Sequence, residues 1–162
     1  MADVHTDYAT EWARSLRPLP PGNTRVVGRW NPVRAADVTR SRLQLGAALD
    51  GAPRPSGATE DAVHRLVLIF EELVSNAVRH GRPPIEVVVT ATACCWLLEV
   101  VDAAGHAPPT PDPGRDPALG GLGLALVARL GSAYGTEVRR DGHKIVWASV
   151  HHVGDAAPCP PA

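Results

Sequence analysis

A chain of 162 residues, 44% hydrophobic and 20% charged, has the length of one domain and the apolar content for a buried core. Its 16 basic and 17 acidic residues leave a formal net charge of −1, which gives no electrostatic footprint for nucleic acid or an anionic membrane. No apolar run reaches the roughly 18 residues that a membrane-spanning helix needs, and the N-terminal stretch lacks the apolar centre of a signal peptide. The three cysteines, Cys94, Cys95 and Cys159, fit neither a disulfide framework nor a zinc pattern, so a reducing, cytoplasmic compartment is expected. Adjacent cysteines in a strand point to opposite faces, which makes one of the pair a small buried hydrophobe.

Residues 1–22 read as a tail, with at most a short helix near Tyr8 to Leu16 before Pro18, Pro20 and Pro21. Arg25 to Trp30 suits a first strand. Asn31-Pro32 opens a helix from about Val33 to Leu49, since proline is favoured in a first turn. Gly51 to Thr59 is a loop whose Thr59 or Ser56 caps the next helix, Glu60 to His80, and Gly81 is its expected left-handed stop. In that helix Val63, Leu66, Val67, Phe70, Leu73, Val74, Ala77 and Val78 follow i, i+3, i+4 spacing and define the buried stripe. Ile85 to Thr92 alternates as a strand, and Trp96, Leu98, Val100 and Asp102 share one face of the next, with Glu99 on the other. His106 to Leu119 holds five prolines and no periodicity; loops of that length are usually functional or mobile. Leu122 to Leu130 is a helix. Glu137 to Arg140 and Lys144 to Val150 close a hairpin around Asp141-Gly142. Residues 151–162 read as a disordered tail, so the ordered domain is expected over residues 23–150. The element order suits an α+β, two-layer sandwich: a mixed β-sheet with helices on one face.

Three segments carry chemistry. Glu72 and Asn76 sit off the stripe with Arg65, Ile69 and His80, about 40° apart around the helix and one turn apart. Asn is poorly suited to mid-helix, whereas a carboxylate beside an amide oxygen can supply a general base and a ligand for a hard cation. A solvated face would look the same. Asp102 falls on the inward face of its strand, where a buried carboxylate needs a partner; a strand-end cap is the other reading. Gly120, Gly121 and Gly123 precede a helix, so free N–H groups and the helix dipole could meet phosphate oxygens, or the cluster could be a hinge. It is neither a P-loop nor a dinucleotide fingerprint, because Lys144 lies in the last strand and Leu126 replaces the third glycine.

In this order and spacing, EELVSNAVRHG (Glu71 to Gly81), WLLEVVDAAG (Trp96 to Gly105) and GGLGLALVARL (Gly120 to Leu130) resemble the N, G1 and G2 boxes of an ATPase superfamily. That superfamily includes gyrase, Hsp90, histidine kinases and MutL, and shares a Bergerat-type ATP-binding fold. The nearest likeness is to small stand-alone anti-sigma-factor serine/threonine kinases of the actinobacterial type, over about Arg25 to Val150. The resemblance implies ATP and Mg²⁺ as cofactors. It implies Glu72 as the base, Asn76 as the Mg²⁺ ligand, Asp102 as acceptor of the adenine amine, and Gly105 as room for the base. Gly120, Gly121, Leu122, Gly123 and Leu124 would form the phosphate segment, and the proline-rich loop a lid. His80 would approach the phosphates or answer the helix dipole; Arg115 would meet the terminal phosphate or stay solvated.

The implied partner is a small regulatory protein of the anti-anti-sigma type, with a sigma factor held when that partner is phosphorylated. A homodimer is compatible with the resemblance, but no residue specifies one. The rival expectation is a nucleotide-sensing module that binds a partner without transferring phosphate. A histidine kinase is not expected, since a dimerisation module with its own phosphoacceptor has no room in the roughly 60 residues before the N box. No transducer domain of the gyrase, Hsp90 or MutL kind is expected either. Fold alone does not fix chemistry.

Overall fold

The computed structural model of the protein describes residues 23–105 and 123–152. The expected N-terminal helix, the proline-rich loop with Arg115, Gly120, Gly121, Leu122 and the tail beyond residue 152 lie outside them. The elements follow the order expected from the sequence: β1 (Arg25–Trp30), α1 (Ala35–Gly51), α2 (Glu60–His80), β2 (Glu86–Ala91), β3 (Cys95–Asp102), α3 (Gly123–Leu130), β4 (Ala133–Val138) and β5 (Lys144–His151).

Helix α1 starts two residues later than expected because of Asp37. Its Oδ2 reaches back to accept the N–H groups of Val33 (3.0 Å) and Arg34 (2.9 Å), so these residues form the cap. Helix α2 has the expected bounds. Thr59 Oγ1 accepts the Ala62 N–H at 3.1 Å and satisfies one of the open donors of the first turn. Gly81 ends the helix by a different route from the one expected. Its backbone is extended (φ −75°, ψ −178°), not left-handed, and its N–H donates to the Ala77 carbonyl at 2.8 Å.

The five-stranded sheet has the order β1-β2-β3-β5-β4, and each of its pairs is antiparallel. The expected mixed sheet is therefore corrected. The crossover through α3 does make β3 and β4 run the same way, but β5 returns between them and removes the parallel pair.

Strand parity sorts the side chains into two layers. Val87, Val89, Trp96, Leu98, Val100, Val146, Ala148 and Val150 join the helices in the main core. Leu97, Ile145 and Trp147 form a smaller cluster on the opposite face. Burying side chains such as Trp96 and Phe70, both 0% exposed, stabilises the fold by roughly 1.5–3 kcal/mol each. Trp30 meets Phe70 edge-on at 5.1 Å and fastens β1 to α2.

The buried arc of α2 is wider than the expected stripe. Ile69 is fully buried rather than beside Glu72 on an open face, while Val67 and Val78 are only half-buried. The reason is that α2 packs against α1, α3, β3 and β5 together, so no single stripe describes its covered surface.

Cys95 is a buried free thiol, as expected for one of the pair. Cys94 is disulfide-bonded, which the cysteine spacing does not announce. Among the described residues no helix is long and apolar enough to cross a membrane.

Candidate functional site

Asp102 ends β3 on the inward face, as parity requires, and is 1% exposed. Its Oδ1 accepts the Ala104 N–H at 2.7 Å. Its Oδ2 lies 3.4 Å from Nζ of Lys144, the residue directly opposite in the β3–β5 register. Lys144 is 5% exposed. Two buried charges are costly unless each offsets the other, so the pair holds as a unit. Sequence reasoning missed this role of Lys144. The signal was there, because Lys144 shares period-two parity with the inward Val146, Ala148 and Val150.

The end of α2 closes over the same carboxylate. A Cβ on Gly81 would stand 3.0 Å from Asp102 Oδ2 and 2.5 Å from the Ala77 carbonyl oxygen. The Ala103 N–H donates to the Arg82 carbonyl at 2.9 Å and ties the two segments together. Gly105 also has a packing use that its sequence context does not announce. Its N–H donates to the Gly142 carbonyl at 3.1 Å, and a Cβ there would collide with that carbonyl. In the described contacts its small size serves docking onto the β4–β5 turn.

Glu72 and Asn76, one turn apart on α2, are both half-buried. Burial pushes the Glu72 carboxyl above its ordinary pKa; neighbouring Glu71 adds to the rise and Arg79 opposes it. The Asn76 amide makes no hydrogen bond to another described residue, which leaves its oxygen available to a ligand.

Gly123, the first described residue of α3, sits against Glu72. An added Cβ would fall on Glu72 Oε2, well inside van der Waals contact. The structure thus brings Gly123 of α3 to the carboxylate of α2. Arg65 fixes the far end of α3, donating to the Leu130 carbonyl at 3.2 Å while its Nε bonds Asp61 at 2.9 Å. Leu124 is 7% exposed and part of the core, so only its backbone can face a ligand. His80 is exposed in the last turn of α2, and no described contact draws it to Glu72 or Gly123.

Among the described residues there is no group of three or more His, Cys, Asp or Glu that could hold a metal ion. The described residues therefore build no dedicated carboxylate or histidine cage. The set fits a hard cation that takes one amide oxygen and draws its other ligands from water and phosphate, as Mg²⁺ does.

Over residues 33–150 the chain matches the model of the histidine kinase-like ATPase domain, and it belongs to that family. No curated protein matches it. Among solved structures its fold is similar to the crystal structure of the RsbU and RsbW domains of Rv1364c from Mycobacterium tuberculosis, with a TM-score of 0.53 at 19% identity. The match covers 82% of this chain and 33% of that one, so this chain spans about a third of its length.

Proposed function

We propose that the protein binds Mg-ATP and transfers its terminal phosphoryl group to a serine or threonine of a small regulatory protein. The observation that carries this reading is the seat of Gly123 against Glu72. It sets a carboxylate of raised proton affinity against Gly123 of α3, and the half-buried Asn76 lies one turn along the helix that carries Glu72. A phosphate drawn to that helix end would meet the Glu72 carboxylate, so a cation between two anions is the natural complement.

Each residue would have one task. Asp102 accepts the amine of the base, and the first N–H groups of α3 bind phosphate oxygens. Glu72 accepts the proton of the attacking hydroxyl; the raised pKa brings its basicity closer to that task. Asn76 would hold Mg²⁺ through its amide oxygen, and the ion, when bound, neutralises phosphate charge. Phosphoryl transfer needs mainly positioning and charge neutralisation, so one base and one cation suffice.

The partner we propose is of the anti-anti-sigma type, with a sigma factor as the second ligand. It rests on the resemblance of the N, G1 and G2 boxes to the small anti-sigma-factor kinases. A cytoplasmic location goes with that partner and with ATP.

The deciding experiment incubates the protein with γ-labelled ATP and the small proteins recovered with it from its own host. Label should appear on a partner serine or threonine, and Glu72→Gln should abolish transfer while nucleotide stays bound. Partner affinity that differs between ATP and ADP, with no label transferred by the wild type, would instead establish a nucleotide-sensing module.

A further inference from the structure

The chain contains one lysine, and that lysine is buried against the carboxylate proposed to receive the base. A solvated lysine would be the ordinary use of this residue, since buried lysines are rare unless paired. Lys144 is paired, yet the pairing alone is an expensive way to hold two strands that the ladder already registers from Cys95↔His151 to Asp102↔Lys144. Apolar residues at both positions would continue the Val100 and Val146 layer without any desolvation cost. Ion pair and position together point to a recognition role.

We propose that Lys144 is a specificity-determining residue of the nucleotide site: its ammonium donates to ring nitrogen N1 of adenine while Asp102 accepts the neighbouring 6-amino group. The inference rests on the ATP reading above and deepens it. Adenine presents a donor and an acceptor side by side on this edge, the amine and N1. The protein presents the complementary order, with the acceptor Oδ2 and the donor Nζ 3.4 Å apart on adjacent strands. Oδ1 is already occupied by the Ala104 N–H, which turns Oδ2 toward Lys144 and Gly81. A carboxylate oxygen carries two lone pairs and an ammonium three N–H groups, so holding each other does not by itself exhaust either group. A carboxylate alone would read only the amine. With Lys144 beside it the site reads two adjacent atoms.

The test uses an analogue in which N1 is replaced by a C–H group, 1-deaza-ATP, against ATP, with affinity measured by calorimetry on the full chain. The wild type should bind ATP at least about tenfold more tightly than 1-deaza-ATP, the scale of one hydrogen bond from a charged donor. Lys144→Met should bind the two alike. Because Lys144→Met strands the buried Asp102 charge and could fail to fold, a second readout needs no variant. Lysine labelled with ¹⁵N on its side chain gives a single ammonium signal in this chain, which should shift with ATP and stay near its free position with 1-deaza-ATP. Equal wild-type affinities, an unchanged preference in Lys144→Met, or a signal that responds alike to both nucleotides would each overturn the role of Lys144. A wild type that binds neither nucleotide would refute the ATP reading itself, and the inference with it.

Discussion

Replacing Gly123 with alanine separates the two things this glycine could be doing. The three atoms nearest to a new Cβ all belong to the Glu72 side chain: Oε2, Cδ at 3.3 Å and Cβ at 3.7 Å. The far end of a flexible side chain can swing aside, at a cost of about 0.5–1.5 kcal/mol if it leaves its preferred rotamer. Alanine in place of glycine in a helix returns up to about 1 kcal/mol, less in the first turn. The two nearly cancel, so global stability should stay within about 1 kcal/mol and the melting temperature within roughly 4 °C of wild type. The carboxylate, however, must move by about 1 Å, and displacement on that scale can lower a transfer rate on the order of 100-fold. Thermal unfolding and transfer of γ-label to the partner read the two effects separately. In the double variant with Glu72→Gln the rate should fall no further than in Glu72→Gln alone, because both changes act through one side chain. A variant that unfolds early, or one that transfers phosphate at the wild-type rate, would refute the placement of Glu72 at the start of α3.

Asp102→Asn should lose most of the thermal stabilisation that saturating Mg-ATP gives the wild type, expected at about 2.7 kcal/mol when ATP is at 100 times its Kd. The amide offers the base a donor where an acceptor is required; a retained shift would remove adenine from Asp102. Asn76→Ala should weaken nucleotide binding in the presence of Mg²⁺ and leave binding in chelator unchanged, measured as paired titrations. Glu72→Gln should be more stable than the wild type at neutral pH, with the difference fading in acid. The sign follows from linkage: a carboxyl whose folded pKa is raised contributes stability below its unfolded value of about 4.3, and that contribution is lost as pH rises through the higher folded value. Unfolding curves of both proteins from pH 4 to 8 check it, and parallel curves would contradict the burial of Glu72.

Local structure was legible because local periodicity sets it. The bounds of α2, the capping Thr59 and the inward parity of Asp102 all follow from neighbours in sequence. Errors begin where distant segments decide. Ile69 looked open because α3, which helps bury that side of α2, is far away in the chain. The sheet looked mixed because strand order is a tertiary property; β5 inserts between β3 and β4 without any mark in its own sequence. Gly81 was assigned to a left-handed stop, whereas its extended backbone makes room for the Asp102 carboxylate. Lys144 went unread as a site residue because its partner is 42 positions earlier, across one rung of the ladder.

One helix relates both ends of the proposed site. Glu72 faces the start of α3, and Gly81, nine residues later, abuts Asp102. At 1.5 Å per residue those points are on the order of 13 Å apart along α2, the scale of a whole nucleotide and not of a lone ion. That separation is set by a helix whose inward residues Leu66, Ile69, Phe70 and Leu73 are at most 2% exposed, so it resists change on ligand binding. The sheet would supply the base end of the proposed site through β3 and β5, and Arg65 anchors the last carbonyl of α3 on α2. What remains free to adjust is the Glu72 side chain, closest to where chemistry would occur. A site of the proposed kind would fix the base by rigid strands and carry its carboxylate on a side chain that can turn. Rigidity at Asp102 with adjustability at Glu72 is the arrangement that selection of one nucleobase, followed by proton transfer from a partner's hydroxyl, requires.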